Sequence, residues 1–334
     1  MATSVMDSVQ WSRDLFEPSM RRAISELPRE MQRVCGYHLG YWDADGDATG
    51  DSSGKAVRPA LVLLSAEAVG GAGSVAVPAA VAVELVHNFS LLHDDVLDRD
   101  AARRGRPTAW AAFGAGPAIM AGDALLSLAY RTLAGCGAEA VRVLHEATTA
   151  LIEGETADLA FEDSPETPVS AVEAMACGKT GALIGGACEL GALLGGASTE
   201  QRRDLRSFGE KLGLAFQHVD DLLGIWGDPE VTRKPVHADL RARKKSLPVV
   251  AALHSGTDAG RELAAVYASK DELPDTEIEQ LALLVEKAGG RDWSRAEAER
   301  LVAESLTALR RAEFRPGAAD RLDELAAMIV DREF

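Results

Sequence analysis

Aromatic side chains are scarce, making up 5% of the 334-residue chain. Stretches in which valine or other β-branched residues alternate with polar ones are also scarce, which argues against an extensive β-sheet. There are only four cysteines, Cys35, Cys136, Cys177 and Cys188, with no Cys-x-x-Cys spacing and no histidine pattern beside them. A disulfide scaffold is thereby excluded, and free thiols in a reducing cytoplasm are expected. Positive charge is in deficit, with 35 Lys and Arg against 52 Asp and Glu and a formal net charge of −17. Nucleic acid and anionic membrane surfaces are poor partners for such a chain, and an anionic substrate would need cations supplied locally. The N-terminus lacks the charged-then-apolar pattern of a secretion signal. The apolar stretch Val75–Leu92 is interrupted by Pro78, Glu84 and His87, so it reads as a buried helix and not a membrane span. No repeat, low-complexity tail or second domain is evident, and a single domain over 1–334 is expected, with 1–14 loosely ordered.

What is abundant is alanine, leucine and glutamate, the composition of an all-α protein. Periodicity predicts helices over Pro18–Leu39, Leu61–Val69, Ala118–Leu133, Glu139–Phe161 and Val169–Leu194. Another begins after Ser198, with Glu200 and Gln201 in its first turn, and amphipathic helices follow beyond Pro248. The densest chemistry lies in Glu84–Arg106, ELVHNFSLLHDDVLDRDAARRGR. Leu85, Phe89, Leu92 and Val96 form a helical apolar face, and Asp94, Asp95 and Asp98 follow directly. At ~100° per residue Asp94 and Asp98 share a face, and Asp95 lies one turn from Asp98. Burying three unpaired carboxylates would cost several kcal/mol each. Divalent cations between them would remove that cost, and a hard all-oxygen donor set favours Mg2+. Arg103, Arg104 and Arg106 are suited to gripping diphosphate oxygens bidentately.

A second acidic cluster recurs in Gln217–Pro248. Asp220 and Asp221 follow the apolar run Leu212–Phe216, and Lys234, Asp239, Lys244 and Lys245 come after. Two carboxylate clusters, each ending an apolar helix and each trailed by cations, describe a cavity in which metal ions bridge a diphosphate. Upstream, Gly54-Lys55-Ala56-Val57-Arg58-Pro59 delivers a glycine and two cations to a helix N-terminus, a suitable anion site.

With these motifs in view, the chain from about Arg21 to its C-terminus resembles the trans-isoprenyl diphosphate synthases, or polyprenyl synthetases, and within them most resembles the geranylgeranyl diphosphate synthases. The resemblance implies an isoprenoid-synthase-type helical bundle around a central cavity, acting as a cytoplasmic homodimer. It further implies Mg2+, three ions with Mn2+ able to substitute, held by Asp94, Asp95, Asp98, Asp220 and Asp221. The allylic diphosphate (dimethylallyl, geranyl or farnesyl) would be gripped by Arg103, Lys179, Thr180, Gln217, Lys234 and Lys244. Isopentenyl diphosphate would be held by Lys55, Arg58, His87 and Arg104. Ionisation of the allylic carbon–oxygen bond, attack by the isopentenyl double bond and proton loss to the departed pyrophosphate would lengthen the chain by five carbons. Asp158 is assigned as a partner of the cavity lysines.

The sequence departs from the family pattern at four points. Ala56 occupies the middle basic position of the anion loop, Gly224 the third carboxylate of the second cluster, Arg233 the glycine before Lys234, and Glu155 a position usually held by Gln. Two other functions therefore stay open, a class I terpene cyclase and a weakly active modulatory subunit of a heteromeric synthase. Product length has one local handle. Phe89 lies five residues before Asp94, ~7.5 Å along a helix, with the small Ser90 beside it. In the resembling family an aromatic residue there goes with a floor that stops chains at C20. Its ~140° offset from Asp94 equally fits ordinary core packing.

Overall fold

The computed structural model describes residues 5–49, 54, 56–162, 164, 166–228, 236–269, 274–311 and 313–330. Among these residues it is all-α apart from one hairpin of two-residue strands and an isolated bridge between Trp42 and Ala48. In chain order, α1 is Val5–Ser25, α2 Arg29–His38, α3 Val57–Ala68 and α4 Val77–Leu97; the hairpin strands are Ala102–Arg103 and Arg106–Pro107. Then come α5 Ala109–Phe113, α6 Ala115–Leu133, α7 Ala138–Glu162, α8 Val169–Ala176, a π-turn at Cys177–Gly181, α9 Ala182–Leu194 and α10 Thr199–Trp226. Further helices are Ala238–Arg241, Leu247–Leu253, Asp258–Ala268, Asp275–Lys287, Gly290–Arg311 and Pro316–Val330.

Three expected helix limits change. The first helix begins at Val5 and carries Pro18 inside it. Its buried stripe is Val9, Ser12, Phe16, Met20 and Ile24, the spacing of one helix face. The single helix expected over Pro18–Leu39 is broken at Leu27 and Pro28, because the residue before a proline is pushed out of the helical region; Pro28 then caps α2. The helix expected over Val169–Leu194 is likewise interrupted, by the π-turn. Ser198 behaves as the sequence implies. Its Oγ accepts from the Gln201 N–H at 3.2 Å while Gln201 Oε1 accepts from the Ser198 N–H at 3.0 Å, a reciprocal capping box.

The chain forms two compact units. One comprises Met1–Glu146, Gly186–Arg206 and Ala312–Leu325; the other comprises Ala147–Gly185, Ser207–Arg311 and Ala326–Phe334. In the first, α4 is apolar nearly all round and is buried against α3 and α6. Gly73–Leu97 is long and apolar enough to cross a membrane, but most of its apolar window is buried in the unit, as a core helix requires. The second unit is centred on Ile225, Leu240, Val249, Leu263, Ile278 and Val285, with Val172, Met175, Leu247 and Val250 forming a neighbouring cluster. All four cysteines are free thiols. Burial pushes the Cys35 thiol up to about 12, beyond ordinary reactivity.

Candidate functional site

In the first unit the site is made by the way α4 ends. Asp98 caps it, with its N–H donating to the Asp94 carbonyl at 2.8 Å. Arg99 turns left-handed at φ 57°, and the Asp100 N–H reaches back to the Asp95 carbonyl at 3.0 Å, a Schellman-type stop. The chain then reverses in the hairpin, with Ala102 opposite Pro107 and Arg103 opposite Arg106. Its two turn residues, Arg104 and Gly105, both have positive φ, 55° and 76°, as a type I′ turn demands. The reversal returns Arg103 to the helix end. Its Nε lies 2.6 Å from Asp95 Oδ1 and its Nη2 3.3 Å from Asp94 Oδ2.

Asp95 is the buried member of the trio, its side chain 1% exposed, whereas Asp98 is exposed. Burial raises the Asp95 pKa above the ordinary carboxyl value, against the pull of Arg103. Burial works against the Arg103 charge too, but Asp95 and then Asp94 outweigh it and hold the guanidinium's pKa up. Among the described residues no three His, Cys, Asp or Glu side chains converge on one point. The donor set nevertheless suits Mg2+. It is carboxylate only, Asp94 and Asp98 sit on successive turns, and Asp95 Oδ2 is buried with no hydrogen-bond partner among the described residues.

Arg104 goes elsewhere. It belongs to a buried cluster with Arg58, Glu84, His87 and His38. Burial lowers the pKa values of Arg58 and Arg104, and Glu84 opposes this for both. Burial raises the Glu84 pKa, with Arg58 and Arg104 pulling it back. His87 is driven well below its ordinary value by burial, then by Arg58 and Arg104; His38 falls to about 3 for similar reasons. Both imidazoles are therefore neutral at pH 7, so His87 acts as a hydrogen-bonding group and not as a cation. Arg58 Nε is buried with no hydrogen-bond partner among the described residues. Ala56, in the left-handed region at φ 52°, caps α3. Lys55 lies outside the described residues. Glu84 is the member that sequence reasoning passed over. Its signal was an acid set in an apolar face one turn before His87.

In the second unit, Lys179 Nζ lies 2.7 Å from Asp158 and 2.9 Å from Glu155, so the partner expected at Asp158 is in place and Glu155 joins it. Close approach makes this possible. A Cβ on Gly154 would lie 2.3 Å from the Lys179 backbone nitrogen, so only glycine lets α7 sit against the π-turn. Thr180 Oγ1 donates to Gln217 Oε1 at 2.7 Å, and Gln217 Nε2 donates to Asp221 Oδ1 at 2.9 Å. Asp221 also accepts the Leu247 N–H at 2.9 Å and faces Lys244 Nζ at 3.9 Å. Burial raises the Asp221 pKa to about 6, with Lys244 the main opposing influence. Burial also opposes the Lys244 charge, but Asp221 and Asp239 outweigh it and keep the ammonium's pKa above its usual value. The two acids are thus unlike: Asp220 is exposed, while Asp221 is buried and fully engaged. Lys234 and Arg233 lie outside the described residues.

At Gly224 the structure supplies what the sequence left open. A Cβ there would lie 2.1 Å from Asp239 Oδ2. The Asp239 carboxylate therefore stands where a side chain of residue 224 would go. Asp228 is exposed beyond the end of α10. Phe89 is 6% exposed and packs edge-to-face on His93 with ring centroids 4.8 Å apart. Ser90 Oγ donates to the His87 carbonyl at 2.8 Å.

Residues 46–284 match the polyprenyl synthetase family. A (2E,6E)-farnesyl diphosphate synthase of Mycobacterium tuberculosis is 46% identical over 96% of this chain and 91% of its own length. A geranylgeranyl diphosphate synthase of the same organism is also 46% identical, over 87% of this chain and 85% of its own. The crystal structure of a polyprenyl synthetase from Streptomyces coelicolor A3(2) superposes with a TM-score of 0.93 at 43% identity, covering 98% of this chain and 100% of that one. The family is Mg2+-dependent. A polyprenyl synthase from Caulobacter crescentus CB15, 25% identical with a TM-score of 0.85 over 99% of each chain, was crystallised with calcium and isoprenyl diphosphate. This chain belongs to the polyprenyl synthetase family and is a trans-prenyltransferase that makes a short-chain polyprenyl diphosphate.

Proposed function

We propose that the enzyme condenses dimethylallyl, geranyl and farnesyl diphosphates with isopentenyl diphosphate to give geranylgeranyl diphosphate, C20. Adjacent arginines of one tight turn go to two different anion sites, and this favours a two-substrate condensation over cyclisation of a single diphosphate. Arg103 is held by Asp95 and Asp94. Arg104 lies in the buried cluster with Arg58, Glu84 and His87.

Asp94, Asp98 and Asp220 would hold Mg2+, which when bound supplies Lewis-acid charge to the leaving diphosphate. Asp95 and Asp221 serve as further or outer-shell ligands. Asp95 fixes Arg103, and Asp221 ties Gln217, Lys244 and the Leu247 backbone together. Arg103, Lys179, Thr180, Gln217, Lys234 and Lys244 are the groups for the allylic diphosphate, adding fixed positive charge as the carbon–oxygen bond ionises. Lys55, Arg58, Arg104 and neutral His87 orient isopentenyl diphosphate, and the released pyrophosphate takes the proton. The whole chain serves as one prenyl synthase domain. We place the enzyme in the cytoplasm as a homodimer, and Ile119 and Met120, apolar and exposed on α6 at 39% and 51%, are the surface offered for pairing.

With farnesyl diphosphate and Mg2+, the purified dimer is expected to form a C20 diphosphate only when isopentenyl diphosphate is added. Chelation should abolish turnover, and Asp94→Ala should lower kcat about a thousand-fold, roughly 4 kcal/mol of barrier. A hydrocarbon from farnesyl diphosphate alone would show a cyclase, and no product under either condition would indicate a modulatory subunit.

Gly224→Asp restores the family's third carboxylate on paper but collides with Asp239. The Asp239 carboxylate is the far end of a flexible side chain and must turn aside, so the variant should lower the melting temperature only slightly, through like-charge crowding, and leave the Mg2+ concentration for half-maximal rate no lower. A variant of unchanged melting temperature with a reduced Mg2+ requirement would show that Asp239 does not hold that place.

For product length, Phe89→Ala is expected to shift the main product to C25 or longer, and Ser90→Phe to shorten it towards C15, as read by mass spectrometry of dephosphorylated products. Wild-type length from both variants would reduce Phe89 to a core residue packed on His93 and remove the local support for C20.

A further inference from the structure

The anion loop Gly54–Pro59 has alanine at its middle basic position, and Ala56 itself is buried, 7% exposed. The N-terminal helix brings a cation to the same place. Arg13 of α1, half-buried, donates from Nη2 to the carbonyl of Gly54, the first residue of the loop. Arg13, Gly54, Ala56 and Glu84 line one pocket. On the side of Gly54 where a Cβ would be, Arg104 Nη1 is 3.4 Å away. Two guanidiniums, one from α1 and one from the hairpin turn, therefore flank the same loop residue.

We infer that Arg13 supplies the cation that the loop lacks at Ala56 and binds the diphosphate of isopentenyl diphosphate. This rests on the assignment of the loop to that substrate. The local charge balance agrees. Glu17 and Glu84 also line the pocket, but Glu17 is paired with Arg21 at 3.1 Å. The buried Glu84 faces two buried guanidiniums, those of Arg58 and Arg104, and Arg13 lines the same pocket as Glu84, so cations outnumber acids around Glu84, as a diphosphate needs. A guanidinium fork carries several donors in one plane, so it can hold a backbone carbonyl and an anion oxygen together. Nearby, Phe16 and Met20 are buried, 4% and 1% exposed, which fixes α1 against the pocket wall and keeps Arg13 in register with the loop.

Arg13→Gln separates this role from that of a strut, because the amide can still donate to the Gly54 carbonyl but carries no charge. Steady-state kinetics should show KM for isopentenyl diphosphate raised about ten-fold, with KM for farnesyl diphosphate, kcat and melting temperature little changed. Arg13→Lys should recover most of the loss. Arg58→Gln, measured alongside, tests the loop itself. A raised KM for isopentenyl diphosphate in Arg58→Gln but not in Arg13→Gln overturns the inference and leaves the loop's function standing. No change in either variant overturns both. Equal losses for the two substrates, or a lowered melting temperature in Arg13→Gln, would show a strut and overturn the inference.

Discussion

The architecture at the end of α4 depends on the ion pair between Asp95 and Arg103. Asp95 is in the interior, where an unpaired carboxylate costs several kcal/mol. The pair is made possible by a backbone event, the left-handed Arg99 that stops the helix and the tight turn that sends the chain back. Removing Arg103 would strand a buried charge, roughly 3–5 kcal/mol by the usual cost of breaking such pairs. The pair also fixes the side from which Arg104 leaves. Because Arg103 and Arg104 are adjacent across a type I′ turn, holding one on the aspartates commits the other to the buried Arg58–Glu84–His87 cluster. Two groups of charged side chains are thereby set side by side by one helix end.

Elsewhere the same economy comes from close approach. Gly154 lets α7 meet the π-turn, which puts Lys179 on Glu155 and Asp158 and leaves Thr180 beside Gln217. Asp221 then joins Gln217, Lys244 and the start of the Leu247–Leu253 helix through hydrogen bonds and charge. A buried acid with a pKa near 6 would ordinarily weaken a site at neutral pH. Its hydrogen bonds and Lys244 hold that rise in check, while Asp220 stays exposed. The Asp239 carboxylate fills the space that Gly224 leaves open.

Much of this was legible in the sequence. The apolar period of α4 breaks at the aspartates because the helix ends there, and the Ser198–Gln201 box sits where its residue types imply. Other features were not legible, for identifiable reasons. Strands of two residues have no period to detect, so the hairpin of Ala102–Pro107 left only Arg104-Gly105 as a trace. The apolar stripe runs straight through Pro28, so periodicity merged two helices. The π-turn at Cys177–Gly181 is tied to the approach of Gly154, a tertiary fact. Asp239 beside Gly224 and Arg13 beside Gly54 are contacts between residues 15 and 41 positions apart, and neither carries a local signal.

The central claim is that one turn divides two arginines between two substrates. The most direct measurement compares Arg103→Gln with Arg104→Gln in steady-state kinetics, varying each diphosphate in turn at saturating concentrations of the other. The account predicts that Arg103→Gln lowers kcat and raises KM for the allylic diphosphate. Arg104→Gln should raise KM for isopentenyl diphosphate and leave that for the allylic substrate unchanged. If both variants impair the same substrate, the two arginines serve one anion site and the account is wrong.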